Sequence, residues 1–587
     1  MRANFYALIL CLLAAATTQA QYYFLDSKIT TTKTIGTNPY FGHSVAVSGD
    51  GNTMMIGATL DSGNRGTVFV YKKVNGSWVD DTTLTPVGHF PYPVSSSYTN
   101  YGFGSDIALS YNGNTAIIGR AGDNDQGAVW VWDRGGNGIW STTGRIGLPT
   151  NGTLYFGCAF GATVDISDDG NTAVVGAPNY DNTNGAIFVL TRSGSWYPGM
   201  LFGGGGNYGS GLAISGNGIR IAAGGPISSR MDYWDYSTSQ GWTYKGYFGY
   251  MPPANTYLGS SLDLSYSGDT MVVGSINFGV SLSGAVTLAY NGTAWSQFGG
   301  DIKVSTGFLG VKVKMTNDGK MIAMGLPYEN NGGGGVVVTT LGANGTWNTP
   351  IQTIGGPATG KNAHQGDDIS ISADGSVLVA GAYADNNGKG AAYVSNAAVP
   401  QITTGSISGS PFCESTSYNT TVSFTTNIKN GTFNAELSDF SGSFQYPTVI
   451  GTSSSSPIQV TIPSGAANGN QYRIRVKYAG NGNLNLDYAG TDNGADLEVN
   501  TCPPAGVNKI SVRNISAYPN PVHDILHINN LQEDADYYIY TTTGISVQKG
   551  IVDVATGNIT LNVPNGIYFL QLTQNGIHIA TLKVAIQ

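Results

Sequence analysis

Seven near-copies of one unit, strand-like segments in every copy and a composition short of charge predict an all-β protein. Its first two thirds are expected to form a seven-bladed β-propeller. Gly (84) and Tyr (34) are abundant among the 587 residues, and charged side chains make up only 11%. That balance suits short strands and tight turns rather than long helices. Aligned on the glycine of a recurring turn, the copies centre on Gly51, Gly113, Gly170, Gly218, Gly268, Gly319 and Gly375, 48–62 residues apart. Such a period belongs to propeller blades, not helical solenoids.

Residues 1–20 read as a cleaved export signal. Arg2 gives a positive start, residues 5–16 are apolar, and Thr18-Gln19-Ala20 is a small-residue cleavage site. The apolar run is too short to span a bilayer. Cys11 leaves with the signal, and Cys158 is expected as a buried, inert thiol inside a strand of the third unit.

Each unit opens on an aromatic or apolar residue and glycine: Phe41-Gly42, Phe103-Gly104, Phe156-Gly157, Tyr208-Gly209, Leu258-Gly259 and Leu309-Gly310, with only Gly366 kept in the seventh. The first strand alternates, as in Ser44-Val45-Ala46-Val47-Ser48, so one face is buried. A turn of the type SGDGNT or SDDGNT follows, where Gly takes a positive φ without penalty. The second strand is apolar on both faces, as in Thr172-Ala173-Val174-Val175-Gly176-Ala177, and belongs between neighbouring blades. After a polar loop a third strand begins at Gly66, Gly127 or Gly185, and a hairpin then delivers a Trp strand. Six of the nine tryptophans stand there: Trp78, Trp140, Trp196, Trp242, Trp295 and Trp347. Four strands in each of seven units make the propeller, residues 21–398.

The seventh unit lacks its Trp strand, and residues 21–34 are β-prone. This N-terminal segment is therefore expected to supply the outer strand of the last blade and close the ring, which would otherwise leave a bare sheet edge.

The pattern FG-x-S-V-x-x-S-x-D-G-N-T-x-x-x-G-A…G-A-x-x-V resembles the FG-GAP repeats related to the integrin α-subunit propeller, over roughly residues 35–396. Integrin-type blades often carry a D-x-D-x-D-G calcium loop. The turns Ser48-Gly49-Asp50-Gly51 and Ser167-Asp168-Asp169-Gly170 lack that alternation of oxygen ligands, so no cofactor is expected and calcium is not supported by the turn sequences.

Beyond Pro400 the period is lost. Residues 399–503 hold short alternating strands and read as an immunoglobulin-like β-sandwich. Cys413 and Cys502 stand at its two ends and are expected to pair, stapling the first strand to the last. The stretch Ala435-Glu436-Leu437-Ser438-Asp439 with Gly442-Ser443-Phe444 is similar to sandwich modules in secreted proteins of Bacteroidetes-type bacteria. Residues 504–512 are a linker. Residues 513–587 carry Tyr518-Pro519-Asn520-Pro521, then Gly566 and Tyr568 in G-x-Y-x-L, then Lys583 in a terminal K-V-x-x. This combination looks like the C-terminal sorting domain of type IX secretion cargo, a small β-sandwich. The resemblance implies the type IX machinery as partner. It also implies passage across the outer membrane, with the protein released or attached to surface lipopolysaccharide.

A net charge of −9 without a basic stripe excludes a nucleic-acid ligand. None of the six histidines forms a paired-ligand spacing, no nucleophile elbow or phosphate loop is present, and no catalytic residue is assigned. Candidate binding residues lie on the face holding the second-to-third-strand loops and the links between blades: Asp123, Asp125 and Asp181, with the aromatics Tyr92, Tyr98, Tyr247, Phe248 and Tyr250. The same Asp/Asn loops also read as Asx turns, and the aromatics as cover for blade edges. The reading is a monomeric, secreted or cell-surface binding protein whose loop face takes an extracellular protein or glycan. A polysaccharide-active enzyme or its accessory module, and a purely structural surface component, stand as alternatives.

Overall fold

What recurs in each unit is first a turn held by its own side chains. In the first, Ser48 Oγ accepts the Thr53 N–H (3.0 Å) and donates to Asp50 (2.5 Å), whose carboxylate accepts the Asn52 N–H (3.0 Å). Ser167 with Asp169 and Ser372 with Asp374 repeat the arrangement. The motif S-x-D-G is thus a self-contained turn, and the carboxylate of its Asp is engaged within it.

The computed structural model describes residues 22–34, 36–86, 102–123, 126–149, 157–193, 196–228, 230–249, 258–275, 284–303, 312–328, 332–348, 352–354, 362–428, 431–480, 488–501 and 514–587. The chain divides into two compact units, Met1–Phe412 with Ser417–Val499, and Cys413–Thr416 with Asn500–Gln587.

In the first unit, the described part of the repeat region forms seven sheets. In each of the first six, four strands lie side by side in sequence order, as in Phe41–Val47, Thr53–Ala58, Thr67–Val74 and Ser77–Leu84; the fifth also holds Ile302–Lys303. The seventh takes Ile369–Ile371, Val377–Ala382 and Ala391–Ala398 from the end of the region and Tyr22–Ile29 from its start. That N-terminal strand runs antiparallel to Ala391–Ala398, from Tyr22 opposite Ala398 to Ile29 opposite Ala392.

Two sets of contacts join neighbouring blades, the last and the first included. A glycine opening the third strand meets the next blade's leading residue: Gly127 bridges Phe160, Gly185 bridges Tyr208, and Gly390 bridges Phe41. These glycines have positive φ, and a Cβ on any of them would overlap the neighbour's backbone, so no other residue fits. The leading aromatic packs edge-on against its own third strand, as Phe41 on Phe69 (5.3 Å) and Phe160 on Phe188 (5.3 Å).

At the opposite face the turns form a circle of backbone hydrogen bonds. Asp50 donates to Tyr111 (2.8 Å), Tyr111 to Asp168 (3.0 Å) and Asp168 to Gly216 (2.9 Å). Asn217 donates to Tyr266, Tyr266 to Asn317 and Asn317 to Ala373 (each 2.9 Å), and Ala373 returns to Gly49 (3.0 Å).

This geometry corrects one element of the repeat. The third unit opens on Phe160-Gly161, because Phe160 makes the bridge that Tyr208 and Phe41 make elsewhere. Of the expected pair, Phe156 lies outside the described residues and Gly157 falls in a turn. Cys158 is a buried thiol outside any disulfide, and it precedes the strand instead of lying in it.

Residues 402–500 add a six-stranded, a three-stranded and a two-stranded sheet. Their shared apolar core includes Ile402, Val422, Phe433, Ile458, Ile474, Val476 and Tyr478. The closing strand serves this core as well as the ring. Phe24 packs among these residues, edge-on to Tyr478 (6.0 Å), while Tyr23 turns into blades six and seven and donates to the Gly375 carbonyl. Cys413 is disulfide-bonded; its expected partner, Cys502, lies outside the described residues.

In the second unit, Ser516–Tyr518, Ile525–Asn529 and Asn558–Thr560 form one sheet, and Ser546–Val552, Ala535–Thr541, Gly566–Gln574 and Ile577–Ile586 another. Leu526, Ile539, Leu570, Leu572 and Val584 centre the core between them.

Candidate functional site

The seven first strands line the axis. Counting from the leading residue as zero, the third and fifth positions carry the axial groups: Asp106, Asp165, Asp263, Lys312 and Lys314, Asp368 and Ser370 all line the central cavity. A first strand is the inner edge of its sheet, and its outward N–H groups need acceptors. The preceding blade supplies them. Asp106 accepts the Val164 N–H (2.8 Å), Asp165 that of Ile214 (2.8 Å), Asp263 that of Met315 (2.8 Å) and Asp368 that of Val45 (2.7 Å). Ser261 and Ser370 do the same for Val313 and Val47 (each 3.0 Å). These axial carboxylates are therefore rungs between blades.

Lys312 ties three blades together, with Nζ 3.4 Å from Asp106 and 3.3 Å from Asp368. Burial works against its charge, but the two carboxylates hold its pKa above the usual lysine range. Lys314 lies 3.9 Å from Asp263. Carboxylates outnumber lysines here, and burial raises Asp106 despite Lys312 and pushes Asp165 up to about 6 despite Lys314. The cavity measures about 110 Å³, room for a few waters. At the turn end, the Asn317 amide reaches from blade six to donate to Asp168 of blade three (2.7 Å) and closes the channel.

The loop-face end is lined by rings. Tyr383, after the second strand of blade seven, packs against Tyr40 (5.1 Å), His364 (5.3 Å) and His43 (5.8 Å), and Tyr328 of blade six packs edge-on against His364 (5.0 Å). Asp367 sits beside them, its carboxyl pushed up to about 6 by burial and the neighbouring Asp368. Burial lowers both histidines, His43 to about 4, so both are neutral at neutral pH.

The backbone at this mouth is under constraint. Tyr40 (φ 58°) and His364 (φ 57°) immediately precede their leading residues in the left-handed region, where Ala159 (φ 56°) and Asn207 (φ 61°) hold the same place in blades three and four. Asparagine adopts that conformation readily; a bulky residue does so at a cost of about 1–2 kcal/mol. Blades one and seven bear that cost and thereby bring two rings to the mouth.

The residues expected from the sequence fall elsewhere. Asp123 is fully buried and salt-bridged to Arg120 (2.8 Å) and Arg145 (2.5 Å), so it anchors its own loop. Asp61 and Asp385 of the equivalent loops are buried too, the latter paired with Lys28 (2.5 Å). Asp181 is exposed and left-handed (φ 49°), as is Asn182 (φ 56°), and its carboxylate accepts from Asn184 (3.2 Å), an Asx arrangement. Tyr247 is exposed on the outer strand of blade four with the Arg230 guanidinium over its ring (4.9 Å). Phe248 packs on the apolar core between blades four and five. Tyr92, Tyr98, Asp125 and Tyr250 lie outside the described residues. The ring cluster escaped the sequence reading, although one signal was present: Tyr and His stand where other copies place Ala or Asn.

In the second unit the terminal motifs meet. The Asn520 amide donates to the Lys583 carbonyl (2.8 Å) and its oxygen accepts the Ala585 N–H (2.8 Å), while the Tyr568 hydroxyl donates to the Pro564 carbonyl (2.8 Å). Tyr518, ahead of Pro519 and Pro521, stacks on His527 (5.4 Å), and Gly566 opens the strand paired with the chain terminus. Residues 516–587 match the secretion system C-terminal sorting domain, and residues 31–71 match the FG-GAP repeat. The chain carries an FG-GAP repeat and a secretion-system sorting domain.

The sorting domain marks the protein as secreted or held at the outer-membrane surface and implies interaction with the type IX machinery. Among the described residues no helix is long and apolar enough to cross a membrane. Among curated proteins no relative matches the sequence. Solved structures similar to the chain include the periplasmic gluconolactonase of Pseudomonas aeruginosa (13% identity, 57% of this chain and 96% of that one, TM-score 0.40). Others are hydrazine synthase of Kuenenia stuttgartiensis (14%, 62% and 98%, 0.39) and a protein from Lactobacillus plantarum (14%, 56% and 88%, 0.39). Likenesses this slight carry no conclusion about activity.

Proposed function

We propose that this is a secreted or surface-held binding protein whose propeller receives an extracellular protein or glycan on its loop face, at the mouth of the axis. The observation that carries the reading is the cluster of Tyr40, Tyr328, His364 and Tyr383, two members of which occupy left-handed backbone positions. Flat rings give contact area at small entropy cost. The sorting domain supports the location, since an exported protein meets such ligands. The test is a glycan and surface-protein array probed with the mature chain and with Tyr328→Ala, an exposed ring whose loss should not disturb folding. Binding by the parent and its loss in the variant is the expected result. Ligands retained in full by the variant would remove the mouth from consideration.

Hydrolysis is a second reading, favoured by one observation: Asp367 is held near pKa 6 beside Tyr383, within reach of acid–base duty at neutral pH. Under that reading Asp367→Asn abolishes turnover of a polysaccharide that the variant still binds.

A further inference from the structure

The mouth has a charge character that narrows what it can hold. Among the described residues, the charged or titratable groups bearing on it are Asp367, Asp368, Asp106, Lys312, His43 and His364, with the phenols of Tyr40, Tyr328 and Tyr383. Lys312 is the one cation among the described residues that bears on Asp367, and it is committed to Asp106 and Asp368. The imidazoles are neutral, and His43 Nδ1 is buried without a hydrogen-bond partner. Among the described residues the mouth thus holds one carboxyl, beside the Tyr383 ring, that no cation of its own balances.

We infer that the mouth holds an organic cation, an alkylammonium group seated against the tyrosine rings with the Asp367 carboxylate as its counter-ion. The inference rests on the loop-face reading above and names the group recognised. Ring faces carry the negative lobe of the aromatic quadrupole and attract a cation most where water is thin. A half-buried carboxylate gains most from the same partner, because its own solvation is already reduced. A neutral ligand leaves Asp367 unpaired, and an anion is repelled by it and by Asp368.

The test is calorimetric titration of the full mature chain with three probes. N-acetyl-lysine methylamide presents an ammonium from a peptide, glucosamine presents one from a sugar, and N-acetylglucosamine is the neutral control. At pH 7.5 at least one ammonium probe should bind, and the neutral control at least about tenfold more weakly. Asp367→Asn should weaken the cation by about tenfold or more without lowering the melt, and Tyr446→Ala, far out on the sandwich and 85% exposed, should leave it unaltered. Lowering the pH to 5 should weaken binding to the parent, since the carboxyl that titrates near 6 becomes protonated. The two ammonium probes decide whether the source is peptide or amino sugar. Equal affinity for charged and neutral probes, or no effect of Asp367→Asn, overturns the inference. If neutral glycans then bind the parent and are lost in Tyr328→Ala, the loop-face reading stands and only the cation falls. If nothing binds in a way that Tyr328→Ala alters, both fall.

Discussion

At the scale of single residues the axis sets the clearest expectations. Lys312→Met leaves Asp106 and Asp368 buried beside each other without their shared cation, a loss of about 3–5 kcal/mol in urea unfolding at pH 7.5. The loss should shrink at pH 5, as Asp106, already raised by burial, takes up a proton in the folded state. Asp165 has the opposite character. Its folded pKa of about 6 lies above the usual carboxyl value, so the folded state holds the extra proton between about pH 4 and 6 and stability falls as the pH rises through that window. Asp165→Asn keeps an oxygen for the Ile214 N–H and should raise the melting temperature at pH 7.5 but not at pH 4. The functional reading of these residues was hidden in sequence. Asp123 stands in an Asp/Asn loop that invites an exposed assignment, and only its burial beside Arg145, contributed by another strand, shows otherwise. Tyr40, Tyr328, His364 and Tyr383 come from distant points of the chain, and no spacing links them.

At the scale of elements, the sequence was most legible where each residue serves its own turn or the next blade. Ser48, Asp50 and Gly51 fix one hairpin locally, and Gly390 fits Phe41 by contact alone, so both recur as a readable motif. The opening of the third unit is ambiguous in sequence because Phe156-Gly157 and Phe160-Gly161 sit four residues apart, and only the bridge from Gly127 distinguishes them. The closing strand gives a two-sided prediction. Tyr23→Ala removes a ring from between blades six and seven, whereas Phe24→Ala removes one from the neighbouring sandwich core, each at about 3–5 kcal/mol. The first should destabilise the propeller and the second the sandwich, distinguishable by exchange protection of the two regions. Deleting residues 22–29 removes both contacts and should lower the melting temperature by roughly 5–10 °C; an unchanged melt would refute the role of the strand.

At the scale of the whole chain, two structural units carry separable tasks. Removing residues 514–587 should leave the melt of the propeller unchanged and keep the protein from the cell surface and medium, measured by fractionation. The seam of the ring has a consequence for descent. The strand that closes the seventh sheet comes from outside the repeated unit and pairs with the last unit, along Ala391–Ala398. Turn-to-turn hydrogen bonds recur around the ring, and glycine bridges recur at several junctions. Gain or loss of one whole unit would therefore change the circumference and the ties across the axis while leaving the closing strand in place. A lineage of such chains can move between ring sizes by unequal crossing-over while inheriting one unaltered seam.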